Sequence, residues 1–114
     1  MRIEKFEDIL SWQKGKALTI ALYSEFSNCR DFGFKDQIQR ASVSIMNNIA
    51  EGYERRTNKE FKQFLFIAKG SCGEVRSMLY LAKDLERINN DKFNELYNLS
   101  IEISKLLSGL IKTL

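Results

Sequence analysis

The chain has 114 residues, 18 Lys and Arg against 15 Asp and Glu, a formal charge of +3, no histidine, no proline, two cysteines and six glycines. Without histidine there can be no Ser-His-Asp or Cys-His catalytic pair, no Cys/His zinc site and no Glu-x-x-His di-iron motif. Neither G-x-x-x-x-G-K-[ST] nor G-x-G-x-x-G occurs, no apolar run nears the ~18 residues of a membrane span, and the length fits one domain, residues 1–114.

The opening MRIEKFEDIL is acidic and lacks an apolar segment, so it reads as no signal peptide and makes the cytoplasm the expected compartment. A first helix is expected over about 8–28, with Leu10, Trp12, Ala17, Ala21, Leu22 and Phe26 inward; CRDFGF is the turn after it. A second is expected over about 35–54. Phe34, Ile38, Ala41, Ile45 and Ile49 recur at threes and fours, and the helix is expected to end between Gly52, a natural C′ residue in the left-handed conformation, and Arg56. Thr57-Asn58-Lys59-Glu60 is a capping box that opens a third helix over 58–88.

That third helix carries two apolar stripes. One runs Phe61, Leu65, Ala68, Cys72, Val75, Leu79, Ala82; the other Phe64, Ile67, Ser71, Glu74, Met78, Leu81, Leu85, Ile88. Two adjacent seams predict cover on two sides. A fourth helix, over 91–113, starts from Asn90 or Asp91 as N-cap and points Phe93, Tyr97, Ser100, Ser104, Leu107 and Ile111 inward. Short connections make neighbours antiparallel, so the expected architecture is all-α, an up-down-up-down four-helix bundle. Cys29 and Cys72 stand far apart and read as small core residues in a reducing compartment; the spacing leaves open whether they approach each other.

The basic residues of the third helix are ordered. Arg55, Lys62, Lys69, Arg76 and Lys83 are spaced seven apart, which on a helix is one face with steps of ~10.5 Å. Lys59, Phe66, Gly73, Tyr80 and Arg87 form the adjacent row. With Arg56, the candidates for nucleic-acid contact are Arg55, Arg56, Lys59, Lys62, Lys69, Arg76 and Lys83. Periodicity does not separate this reading from a subunit interface anchored by Phe66 and Tyr80, or from a plain solvated face.

Gly70 and Gly73 each cost ~1 kcal/mol relative to Ala within a helix. Gly70-Ser71-Cys72-Gly73 therefore marks a close crossing, by another helix of this chain or by a neighbouring subunit, or else a tolerated kink. The stretch is too short for a phosphate loop. Asn48 lies on the apolar face of the second helix and Glu74 in a seam of the third. Buried there, each needs a hydrogen bond, with Ser44, Gln37 or Arg40 as partners. A small polar site of Gln37, Arg40, Asn48, Glu51 and Glu74 is the functional alternative, with the two carboxylates as an acid–base pair.

QIQRASVSIMNNIAEGYERRTNKEFKQFLFIAKGSCGEV resembles the core of the four helix bundle protein family, also called the 23S rRNA intervening-sequence proteins, some of which were labelled ribosomal proteins. The matching positions are Gln37, Ser44, Ile45, Asn48, Ile49, Ala50, Glu51, Gly52, Lys59-Glu60-Phe61, Ala68, Gly70, Ser71 and Glu74, with Phe6, Leu10 and Trp12 near the start. Met46-Asn47 departs from it, since many relatives carry a proline and a small residue there.

The resemblance implies a ring-like homopentamer, encoded in some bacteria within insertions of the large-subunit rRNA gene, with no enzymatic activity, cofactor or metal. A related branch, the accessory protein of diversity-generating retroelements, is a basic pentamer that works with a reverse transcriptase and nucleic acid. The expectation is thus a non-enzymatic homopentamer contacting RNA or DNA through its basic helix face. A reverse transcriptase or a ribosomal component is the implied protein partner. A purely protein-binding scaffold is the alternative, and an enzyme using paired carboxylates the third.

Overall fold

The computed structural model describes residues 2–114. After a single 3-10 turn at Phe6–Asp8 come four helices: α1 Leu10–Glu25, α2 Phe32–Tyr53, α3 Asn58–Asp84 and α4 Asn90–Lys112. Among the described residues there is no strand. α1 packs on α2 and α4, and α3 packs on the same two, so α1 and α3 stand diagonally across the expected up-down-up-down bundle. The long axis is 43 Å. α3 alone, at 27 residues, spans nearly all of it at ~1.5 Å per residue.

The caps explain where the helices differ from expectation. α2 starts at Phe32 because Asp31 caps it, accepting from the Phe34 N–H at 3.1 Å. Asn89, rather than Asn90 or Asp91, caps α4 through the Lys92 N–H at 2.7 Å. α3 stops at Asp84, four residues short of position 88. Glu86 takes a left-handed φ of 59°, and the Arg87 N–H donates to the Ala82 carbonyl at 2.8 Å. That is the reversal usually made by glycine, here made by a glutamate, so no glycine announces it.

The α2 stripe is buried as read: Phe34, Ile38, Ala41, Ile45 and Ile49 all lie inside. α1 is not as read. Leu10 and Ala17 face solvent, while Ile9, Ser11, Gly15, Leu18 and Thr19 join Leu22 and Phe26 inside. The reason is a close α1–α2 approach. A Cβ on Gly15 would sit 3.3 Å from Ile45 Cγ2, and the Thr19 hydroxyl reaches Ser42 O at 3.1 Å. Small polar residues fill that contact and break the apolar stripe. Both cysteines are free; Cys72 is fully buried and burial pushes its thiol up to about 11.

α2 ends at Tyr53, between Gly52 and Arg56 as expected, but Gly52 is not its left-handed C′ residue, since no glycine has a positive φ. It is instead the point where α2 and α3 press together: an added Cβ would lie 2.6 Å from Phe64 Cβ and 3.0 Å from the Phe61 ring.

Candidate functional site

α3 positions almost every candidate residue. Its start is fixed by Thr57, whose hydroxyl oxygen accepts from the Glu60 N–H at 3.1 Å. The return arm differs from the expected capping box: the Thr57 hydroxyl, not its backbone N–H, meets Glu60 Oε1, at 3.2 Å. From there the helix runs unbroken through Gly70 and Gly73 to Asp84. The core strip Phe61, Leu65, Ala68, Cys72, Val75, Leu79 and Ala82 is buried throughout.

The basic row lies on the α4 side of this strip. Lys62, Lys69 and Arg76 are half-buried and Lys83 is exposed. Arg76 donates to the Ser100 hydroxyl at 3.3 Å, and that hydroxyl donates to Cys72 O at 3.3 Å. Lys83 Nζ stands 4.6 Å over the Phe93 ring, whose neighbours are Tyr80 at 5.3 Å and Tyr97 at 5.5 Å. Among the described residues none of Lys62, Lys69, Arg76 and Lys83 pairs with a carboxylate; the ion-paired cations are Lys14, Arg40, Arg55, Arg87 and Lys92.

One member, Arg55, leaves the row. Arg55 and Arg56 precede α3 and lie in the turn. Arg55 is bound to Glu51 at 2.7 Å and stacks 4.8 Å over the Phe64 ring. Arg56 and Lys59 are exposed. Arg87, in the adjacent row, lies beyond the helix end and pairs with Asp31 at 2.9 Å.

The second stripe is covered only in part within the chain: Ser71, Met78 and Ile88 are buried and Phe64 is half-buried, but the rest is open. Ile67, Leu81 and Leu85 are about half exposed, as are Phe66 and Tyr80 beside them. The glycines between are open: a Cβ at Gly70 would meet nothing within 4 Å, and one at Gly73 only the Arg76 guanidinium at 3.7 Å. The close crossing expected at Gly70-Ser71-Cys72-Gly73 is therefore not made by another helix of this chain. Ile67 and Leu81 were read as core because their spacing matches a seam, and spacing carries no sign of which seams find a partner.

The polar residues divide into three separate contacts along α2 and α3. At one end Gln37 Nε2 donates to Glu74 Oε2 at 3.3 Å. Glu74 is exposed, not buried, because it sits on the uncovered side of α3. In the middle the Ser44 and Ser71 hydroxyls are 2.9 Å apart, and half-buried Asn48 donates to Ser44 O at 2.8 Å and Ser44 Oγ at 2.9 Å. At the other end Glu51 holds Arg55. Glu51 is four helical turns from Gln37, about 21 Å, so Glu51 and Glu74 do not form a carboxylate pair. Arg40 bonds Asp36 on its own helix. Only Gln37–Glu74 and Ser44–Ser71 join α2 to α3; the other contacts stay within α2 or reach the turn after it, and together they enclose no site.

Among the described residues, no three His, Cys, Asp or Glu side chains gather to hold a metal ion, and no helix is long and apolar enough to cross a membrane.

Comparison with known proteins agrees with this fold. The model of the 23S rRNA-intervening sequence protein family matches residues 7–109. Among solved structures, the chain is similar to a protein of unknown function from the S23 ribosomal protein family of Bacteroides thetaiotaomicron VPI-5482. The TM-score is 0.84 at 28% identity, over 90% of this chain and 99% of that one. No curated protein matches.

Proposed function

The chain belongs to the 23S rRNA-intervening sequence protein family, and from that premise we propose that it is a non-enzymatic assembly protein, associating with copies of itself and holding RNA or DNA along the basic row of α3. The observation that carries the nucleic-acid part is the row itself. Lys62, Lys69, Arg76 and Lys83 stand in register on one helix edge without a carboxylate partner, while five other cations are ion-paired. Cations held in line at steps of ~10.5 Å and left unneutralised suit a phosphate backbone, whose condensed counterions they would release. Exposed Arg56 and Lys59 extend the row at its start.

Self-association is supported by the uncovered apolar side of α3, and the number implied by the family resemblance is five. A reverse transcriptase or a ribosomal component is the protein partner that suits this reading.

The test is binding of labelled single-stranded RNA, and of DNA of the same sequence, across salt. Replacing Lys62 and Lys69 together by Gln should weaken binding about tenfold or more and flatten the salt slope by about 1.4, at ~0.7 per phosphate contact on single strands. Unchanged affinity and slope would remove the nucleic-acid part and favour a purely protein-binding scaffold.

A further inference from the structure

The basic row of α3 repeats in one direction, and rings repeat with it. Lys62-Phe66-Lys69 and Arg76-Tyr80-Lys83 each set a cation, a ring and a cation at steps of four and three. Between them Lys69-Gly73-Arg76 has glycine in the place of the ring. At ~100° per residue each triplet falls within about 60° of helix surface, so ring and cations share a face. Phe66 and Tyr80 then stand ~21 Å apart along the axis. A motif repeated by translation suits a partner that is itself a linear repeat, and a strand of nucleotides is one.

Both rings are open, at 54% for Phe66 and 50% for Tyr80, but Tyr80 is the better held. Its ring packs on Phe93 at 5.3 Å and on Tyr97 at 5.4 Å, both from α4. The buried Phe93 also lies under Lys83, whose Nζ stands 4.6 Å over its ring. One side chain of α4 thus fixes an exposed ring and a cation side by side. Phe66 lies outside this cluster. At Gly73 an added Cβ would come 3.7 Å from the Arg76 guanidinium, so a longer side chain there would cover the cation. Ile67 and Leu81, each one residue on, point ~100° further round the helix. The apolar edge and the rings are therefore separate surfaces of α3.

We propose that Tyr80 and Phe66 are stacking platforms for the unpaired bases of a single strand whose phosphates lie on Lys62, Lys69, Arg76 and Lys83. The proposal rests on the nucleic-acid reading above, and adds that the strand is single and is held by its bases as well as its phosphates. In a duplex the base faces are stacked on one another and offer the rings nothing, whereas an unpaired base has a free face. The ~21 Å between the rings takes about six nucleotides at a stacked spacing of 3.4 Å, so the two platforms hold bases well apart. Every base has such a face, so the strand is chosen for being single and not for its sequence. Tyr80, already ordered by Phe93 and Tyr97, loses less freedom on binding than Phe66 and contributes more.

The test is the affinity of the whole chain, across salt, for oligonucleotides of about twelve nucleotides, twice that span. The probes are single-stranded RNA, single-stranded DNA, duplex DNA and an abasic single strand with the same phosphates. Tyr80→Ala should weaken binding of both single strands about fivefold or more, and Phe66→Ala by less. The salt slope should stay unchanged in both, because stacking releases no counterions. Tyr80→Phe should keep the affinity. Tyr80→Leu, which keeps an apolar contact with Phe93, should bind as weakly as Tyr80→Ala while the bundle melts as before; that separates a lost base contact from a lost fold. The abasic strand and the duplex should be indifferent to every change at Tyr80. A loss on RNA alone or on DNA alone supports the platform and names the strand. Tyr80→Leu that binds like wild type, or a loss as large on the duplex or the abasic strand, overturns the base contact and leaves the phosphate contacts standing. Wild-type protein that binds no strand even at low salt overturns both.

Discussion

α3 meets glycine in two ways. At Gly52 of α2 the missing side chain is filled by this chain, with Phe61 and Phe64 of α3 lying where a Cβ would go. At Gly70 and Gly73 of α3 itself the space stays empty apart from the Arg76 guanidinium. The backbone conformation is helical in all three cases, so the entropic cost is alike. What differs is whether the fold gains anything in return. Gly52 is a residue of the fold; Gly70 and Gly73 leave room along α3 that this chain fills only with the Arg76 guanidinium.

Alanine substitution breaks this comparison most sharply. Gly52→Ala places a methyl 2.6 Å from Phe64 Cβ, a contact neither helix can relieve without moving. Overpacking of this kind costs about 1–3 kcal/mol against about 1 kcal/mol of helix propensity regained, so the net loss reaches about 2 kcal/mol and the melting temperature should fall by up to about 15 °C in a domain of this size. A melting temperature raised by Gly52→Ala, as expected for Gly70→Ala, would show that α2 and α3 do not press together there.

Gly70→Ala should act with opposite sign. It restores about 1 kcal/mol of helix propensity and touches nothing, so the single bundle should melt about 4–8 °C higher, measured where the protein is one chain. A loss of stability instead would mean that the helix is distorted at Gly70, and the contrast with Gly52 would disappear.

The same two sites show what the sequence reveals and what it hides. The bundle was legible because α2 and the inner stripe of α3 are apolar at threes and fours, and because Thr57 and Glu60 mark a start. Gly52 was misread as a left-handed C′ residue. A glycine near a helix end fits both a left-handed cap and a close packing point, and only the position of Phe61 and Phe64 distinguishes them. α1 was misread because its inner face holds Ser11, Gly15 and Thr19, which pack by being small rather than apolar. On α3, the basic row and the exposed rings Phe66 and Tyr80 were legible from their seven-residue spacing. The exposure of Ile67, Leu81 and Glu74 was not, because an apolar seam looks the same whether its partner lies within the chain or outside it. Glu86 in a left-handed cap gives no sequence signal, since that position usually favours glycine.

The smallest effect concerns the end of the bundle where α3 returns toward α1. Asp31 caps α2 and holds Arg87, joining the turn after α3 to the turn before α2. Its carboxyl is held below the ordinary value of 3.8, first by the Phe34 N–H and then by the Arg87 guanidinium. A depressed folded value means that the ionised form is stabilised by folding. The contribution is present above the unfolded value and is lost as pH falls through the folded one, so the window lies below about pH 4. Asn still caps a helix well but carries no charge for Arg87. Asp31→Asn should therefore melt slightly below wild type at neutral pH, and the gap should close as both are acidified. Exposed pairs contribute little, so the gap should stay within a few degrees and shrink with salt. Parallel melting curves from pH 7 down to about pH 2 would show that Asp31 acts as a cap alone, and that the turn after α3 is held without this charge.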